Sequence, residues 1–347
     1  MLNVGVIGCG GMGKDHIKRL TEKIQGAQVV AVSDVFEEGA KEAAKIAGGA
    51  KVYTDGKDLI NDPDVDAVFI VSPGFAHTES LLQAIEAGKR VFCEKPLATT
   101  ADDCKKIVEA EVASGKHLIQ LGFMRRYDKG YVQVKEALKS GEYGEPLILH
   151  CTHRNPEVGT NYNTPMAVHD TAIHEIDTLH WLVDDEYESA QVIMPKVTKY
   201  SHSELKDPQI MLLRTKRGIC IDVEVFVNCK FGYDINCEVV CEDGAIKMAQ
   251  PSYPSIRKDA AVSTIYPSIR KNAAVSTTID TDCFVRFKDA YDTEVQNWVD
   301  CAKDGVINGP TAWDGYLAAV TADALVKAQE TGQIEPIHTD EKPEFYK

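Results

Sequence analysis

The sequence has no apolar run long enough to cross a bilayer, which excludes a membrane-spanning helix. Its first residues, MLNVGVIGCGGMGKDH, lack both a basic start and a continuous apolar stretch, so they do not read as a signal peptide. No C-x-x-C pair occurs among the ten cysteines. Several lie in strand-like apolar runs such as GICIDVEVFVNC and INCEVVCEDG, so reduced, buried thiols in the cytoplasm are expected rather than a disulfide framework. Basic charge is also short. With 38 Lys and Arg against 53 Asp and Glu the formal charge is −15, and such a field repels polyanions. Nucleic acid and anionic membranes are therefore excluded as partners. What remains is an ordinary globular balance, 44% hydrophobic and 26% charged, on 347 residues, which suggests two domains.

The first half alternates strands and helices. The apolar run LNVGVIG breaks at Gly8, Gly10, Gly11, Met12 and Gly13, and the helical KDHIKRLTEKI follows. A second strand, AQVVAVSD, ends at Asp34. In G-x-G-x-x-G the first glycine allows a tight turn, the second lets the backbone approach a pyrophosphate, and the third lets helix and strand pack closely. The helix N-terminus then offers free N–H groups to the phosphates. A carboxylate at Asp34 can accept from both ribose hydroxyls of NAD and repels a 2′-phosphate, with Glu37 and Glu38 adding to the repulsion. The alternation continues to about Phe123 and predicts a doubly wound parallel sheet, a Rossmann domain over residues 1–123. Ligands of such sheets lie beyond the C-terminal strand ends, which carry Ser72, Pro73, Glu94, Lys95, Met124 and Arg125.

After that the rhythm changes to successive β-rich runs. They predict an α+β domain over 124–347 with a large, mostly antiparallel open sheet. A helix expected at about 311–331 can pack back on the first domain. The stretch VHDTAIHEIDTLHW, Val168 to Trp181, interrupts the strands with three histidines and three acids. Asp170 and His174 are four apart and share one side of a helix. A metal reading lacks H-E-x-x-H and a recognisable third ligand, so no metal is expected. The remaining readings are the polar face of an amphipathic helix and a proton relay. Two near-identical segments, YPSIRKDAAVST and YPSIRKNAAVST, recur at a period of 13 residues between 253 and 277. A tandem duplication in an exposed, mobile loop is expected, since loop closure cost grows slowly with length.

Together GVIGCGGMGKDH, VSPGFAH, EKPLATT, GFMRRYD and the Asp170-x-x-x-His174 pair resemble the Gfo/Idh/MocA family of NAD(P)-dependent oxidoreductases. Within it the chain is similar to bacterial inositol dehydrogenases. The resemblance implies oxidation of a ring hydroxyl of myo-, scyllo- or D-chiro-inositol to an inosose, with NAD as cofactor and a homotetramer as the assembly. It implies catalytic roles for Lys95, Asp170 and His174, and a place for His77 near the nicotinamide. It also implies a polyol pocket that includes Met124, Arg125, Asn155 and Tyr233. Asp177 and His180 are read as structural, and His169 adjoins the pocket. A dehydrogenase of a pyranose such as glucose and a catalytically silent NAD-binding sensor are the alternatives.

Overall fold

The computed structural model describes residues 1–248 and 280–347, with the backbone of four short strands between them. The chain sorts into two units. The first comprises residues 1–124, 291–323 and 339–347, and the second residues 125–290 and 324–338.

The first unit is built on six parallel strands: β1 (Leu2–Ile7), β2 (Ala27–Ser33), β3 (Lys51–Tyr53), β4 (Ala67–Ile70), β5 (Arg90–Glu94) and β6 (Ile119–Gly122). Their order is β3-β2-β1-β4-β5-β6, and it reverses between β1 and β4, where such sheets open a ligand crevice. Burial on both faces explains why these strands read as nearly continuous apolar runs. The crossovers include α1 (Gly11–Glu22), α2 (Glu37–Ile46), α3 (Gly56–Ile60), α4 (His77–Glu86) and α5 (Ala101–Ser114). α5 shows how locally the sequence sets its ends. Thr100 caps it through the Asp103 N–H (3.2 Å), Asp102 and Asp103 fill its first turn, and Gly115 ends it at φ +67°.

The second half of the chain, read as one domain, thus returns residues 291–323 and 339–347 to the first unit. The reason is apolar burial. Val295, Trp298, Val299 and Ala302 join the core of the parallel sheet, where the Trp298 ring meets Phe69 edge-on at 4.9 Å.

The second unit holds β7 (Pro146–Arg154), β8 (Tyr187–Ile193), β9 (Gln209–Thr215), β10 (Cys220–Phe226), β11 (Asp234–Cys241) and β12 (Ala245–Lys247), with the short strand Glu335–Pro336 at one edge. Their order is β12-β11-β7-β10-β9-β8, and every pair is antiparallel except β10 with β7. Strict alternation buries Ile221, Val223 and Val225 of β10 and Ile235, Cys237 and Val239 of β11. The other face carries Asp222, Glu224 and Asp234, where Arg154 bridges Glu224 (2.5 Å) and Asp234 (2.7 Å). Helices α6 (Lys129–Ser140) and α7 (Ile173–Val183) belong to this unit, and the Tyr187 hydroxyl of β8 donates to the Ile176 carbonyl of α7 (2.9 Å).

The Asp170–His174 stretch is not one regular α-helix. Residues Ala167–Ala172 form a π-helical turn that runs directly into α7. Such turns concentrate at functional sites. The loop expected over 253–277 falls outside the described residues, apart from two antiparallel strand pairs, Ser255–Lys258 with Ala261–Thr264 and Ile269–Lys271 with Ala274–Ser276.

Candidate active site

In the first unit the glycine turn lies at the carboxyl end of β1. Gly8 has φ +97°, and a Cβ there would sit 2.5 Å from the Ser72 nitrogen. A Cβ on Gly13 would sit 2.0 Å from the Gly8 carbonyl oxygen, so helix and strand approach closely only without a side chain. Gly10 and Gly11 face open space, with nothing within 4 Å of a Cβ. α1 starts there with no side-chain cap, which leaves its first N–H groups to a ligand, with Met12 half-buried in the first turn. The Asp34 carboxylate stands beside this turn and accepts from the Cys9 N–H (2.7 Å) and the Phe36 N–H (2.9 Å). A carboxylate has further lone pairs for ribose hydroxyls. Burial, and then the Asp34 charge, pushes the Cys9 thiol up to about 12, so it is inert beside the phosphate cradle. The Ser72 hydroxyl is buried without a partner, next to the exposed Pro73. An open cradle of N–H groups, a carboxylate at the end of β2 and an unpaired hydroxyl fit a dinucleotide.

β5 ends in Glu94, and Lys95 and Pro96 follow. Lys95 is half-exposed. Glu94 and His77, both expected to line the cofactor, are buried and bonded to protein groups. His16 of α1 donates from Nε2 to Glu94 Oε1 (2.8 Å), and Arg19 reaches the His16 Nδ1 (3.2 Å). The other Glu94 oxygen accepts from the Lys95 N–H (3.2 Å). Burial pushes the Glu94 carboxyl up, but the His16 bond and the His16 and Lys95 charges outweigh it and hold it below the usual range. The His77 ring is fully buried, with Nδ1 2.7 Å from the Pro96 carbonyl oxygen and Nε2 2.7 Å from that of Ser72. Two acceptors favour a doubly protonated ring. Burial pulls its pKa down and outweighs the Pro96 and Ser72 carbonyls, which raise it.

In the second unit Asp170 lies in the π-helical turn, half-buried beside His169, and His174 is buried in the first turn of α7. The turn is braced by Tyr162, whose hydroxyl bonds the Met166 carbonyl (2.7 Å) and the Thr171 hydroxyl (2.6 Å). Near His174 lies a buried polar cluster. Arg125, with no exposed surface, pairs with Glu175. Glu175 also accepts from His153 Nδ1 (2.7 Å), and the Arg125 charge opposes the burial that pushes the Tyr233 hydroxyl up. The His153 ring lies 6.4 Å from that of His174 and meets Tyr233 edge-on at 5.8 Å. Burial pushes the Glu175 carboxyl up, yet Arg125 and then His153 outweigh it and hold it below the usual range. Asn155, two residues beyond His153, hydrogen-bonds through its backbone to Phe226 and Cys229, and its side-chain Oδ1 is buried without a partner. Met124 is buried. Asp177 pairs with Arg126, a structural use.

Of the expected polyol residues, Arg125, Tyr233 and His174 thus belong to one cluster. His153 and Glu175, its centre, were not singled out in the sequence. The available signal was weak: His153 shares a strand face with Asn155, and Glu175 follows His174. Among the described residues no three His, Cys, Asp or Glu side chains are grouped to hold a metal ion, and no helix is long and apolar enough to cross a membrane.

The sheet order, the glycine turn and the carboxylate at the end of β2 define a dinucleotide-binding domain. Residues 2–123 match the family described as oxidoreductase family, NAD-binding Rossmann fold, and residues 135–338 match its C-terminal alpha/beta domain. The chain belongs to this Gfo/Idh/MocA family and is an NAD-dependent oxidoreductase. It is 52% identical over 346 residues to an inositol 2-dehydrogenase of Pseudomonas syringae pv. syringae (strain B728a), covering 99% of both chains. Among solved structures it is similar to myo-inositol dehydrogenase from Lactobacillus casei in complex with NAD(H) and myo-inositol (TM-score 0.93, 43% identity, 100% of both chains). It is also similar to scyllo-inositol dehydrogenase from the same organism with bound NAD(H) and scyllo-inositol (TM-score 0.87, 25% identity, 97% of this chain and 99% of that one).

Proposed function

We propose that the chain oxidises a ring hydroxyl of an inositol to the corresponding inosose, with NAD as the acceptor. The observation that carries this reading is its full-length likeness, at 52% identity, to a protein of that activity. Oxidising a secondary alcohol removes a hydride from carbon and a proton from oxygen. NAD, when bound, supplies the acceptor for the hydride. His174 takes the proton, because imidazole is the side chain best matched to neutral pH. Asp170 orients the His174 ring and favours its charged form. Lys95 donates to the reacting oxygen and favours its developing negative charge. Positioned acid–base help of this kind is worth roughly 10²–10⁴ in rate.

A polyol needs many polar partners, because a buried hydroxyl left unpaired costs about 1–3 kcal/mol. The unpaired Asn155 Oδ1 supports a place for Asn155 among them, and we assign Tyr233, Arg125 and Met124 to the same role. The network of Arg125, Glu175 and His153 fixes that wall. Asp34 reads the ribose, with Gly8, Gly10, Gly11, Met12 and Gly13 on the phosphates and Ser72 and Pro73 at the crevice rim. The exposed apolar side chains Val35, Phe36 and Phe75, at the ends of β2 and β4, offer a face to the base.

The charged open face of the second sheet supports association of copies, for which we propose a homotetramer. Ten cysteines without a disulfide suit a reducing compartment, and we assign the cytoplasm. The deciding experiment follows the near-ultraviolet absorbance of NADH with NAD and myo-, scyllo- and D-chiro-inositol, glucose and a blank. NADH formed with an inositol supports the reading. Turnover of glucose alone moves the activity to a pyranose, and no turnover with any of them leaves an NAD-binding sensor.

A further inference from the structure

The residue on each side of Lys95 is tied to a buried histidine, His16 before it and His77 after it. Before Lys95, Glu94 is held by His16, which has no exposed surface. The His16 ring is itself fixed. Phe69, Phe92 and Tyr291 surround it edge-on at 5.6–5.9 Å, and Arg19 reaches its other nitrogen. Arg19 is anchored in turn by Asp292 (2.8 Å) and Asp15 (2.6 Å). The second Glu94 oxygen takes the Lys95 backbone N–H, so the carboxylate joins the histidine to the lysine's own main chain. Packing leaves Glu94 little room, since a Cβ on Gly122 would lie 3.3 Å from its carboxyl carbon. After Lys95, the Pro96 carbonyl faces His77 Nδ1, and the same ring reaches the Ser72 carbonyl at the end of β4. Gly74 closes that side, because a Cβ there would meet the Pro96 ring at 3.1 Å.

We propose that His16, Glu94 and His77 are positioning residues for Lys95, clamping its backbone from both sides and tying it to the phosphate-turn helix and to the β4 loop. This rests on the role given to Lys95 above. A buried carboxylate is expensive to desolvate and is no stability device by itself, so its place beside the lysine calls for another account. A long side chain reaches the same point in each molecule only if its Cα is fixed, and misplacement of about 1 Å can cost roughly a hundredfold in rate.

The test is a double-mutant cycle on the full-length enzyme with NAD and myo-inositol. Glu94→Gln, His77→Leu and His77→Asn are made in the wild-type and Lys95→Met backgrounds, with kcat, KM and NADH affinity by fluorescence titration read for each. In the wild-type background Glu94→Gln and His77→Leu lower kcat by roughly tenfold to a hundredfold, with little change in KM. NADH affinity stays within about twofold. In the Lys95→Met background neither costs further rate. His77→Asn, which keeps a donor near the Pro96 carbonyl, recovers most of the loss. If His77→Leu does not fold, Glu94→Gln, nearly equal in volume, carries the cycle alone. Equal rate losses in both backgrounds, or NADH affinity falling in step with kcat, overturn the inference while leaving the function intact. Full turnover by Lys95→Met overturns the lysine's role and this inference with it.

Discussion

Replacing Arg125 with methionine tests whether the buried cluster beside His174 is held by charge. Arg125 is 0% exposed and Glu175 2%, so neither charge is relieved by solvent. The variant keeps the bond between Glu175 and His153 but removes the cation that offsets the burial of the carboxylate. Breaking a buried pair by removing one partner costs about 3–5 kcal/mol. In a unit of this size that lowers the melting temperature by roughly 6–20 °C. The pH dependence gives a second reading. In the wild type Glu175 is held below its ordinary range, so its contribution is present above the unfolded carboxylate pKa and is lost as pH falls through the folded one. In the variant burial raises the carboxyl above its unfolded value, and stability from that group is instead lost as pH rises. The gap between the two proteins therefore narrows from about pH 8 to about pH 5. Adding Glu175→Leu removes the stranded charge and recovers most of the stability, since an apolar pair can replace a buried ionic one. Scanning calorimetry across pH checks all three statements. A loss below about 1 kcal/mol, the value of an exposed pair, or a double variant less stable than the single one, refutes the reasoning.

His174→Ala should cut inositol oxidation by roughly 10²–10⁴ while NADH still binds in a fluorescence titration; unchanged turnover removes His174 as the base. Asp34→Ala should weaken NAD, relax the exclusion of NADP and loosen the glycine turn, because the same carboxylate takes the Cys9 and Phe36 N–H groups; an unaltered cofactor preference in steady-state assays removes Asp34 as the ribose reader. Gly13→Ala should abolish NADH binding in the same titration, since its Cβ would lie 2.0 Å from the Gly8 oxygen and one backbone must move. Oxidation should rise between about pH 6 and about pH 9 as the imidazole base loses its proton, and a flat profile in steady-state assays with chemistry limiting counts against a titrating base.

Much of the first unit was legible because its signals are local. Two-sided burial gives near-continuous apolar strands, and a glycine turn has few uses between a strand and a helix. The second sheet was legible as alternation, as in Asp234–Cys241. A helix at about 311–331 was expected to pack back on the first domain, but the return of residues 291–310 was not legible, because Trp298 and Val295 read as the apolar side of any helix until their partners Phe69 and Phe92 are known. The pair Asp170 and His174 was found by spacing, but the π-helical turn beneath it depends on Tyr162, whose bond to Thr171 joins residues nine apart. His77 and Glu94 were located but not their engagement: a sequence places them at strand ends, and only coordinates show the imidazole turned onto two carbonyls and the carboxylate onto His16. His153 was missed because His150 and His153, three apart in one strand, point to opposite faces and form no pair, and its partner Glu175 lies 22 residues away.

The central claim is that an ammonium, an imidazole and a carboxylate serve one alcohol carbon. A crystal structure of the enzyme with NADH and myo-inositol tests it most directly. The account predicts Lys95 Nζ and one His174 ring nitrogen both within about 3.2 Å of a single inositol oxygen, with Asp170 bonded to the other side of that imidazole and the nicotinamide over the carbon that bears the oxygen. Inositol bound with its nearest hydroxyl beyond hydrogen-bond reach of Lys95 and His174 would contradict it.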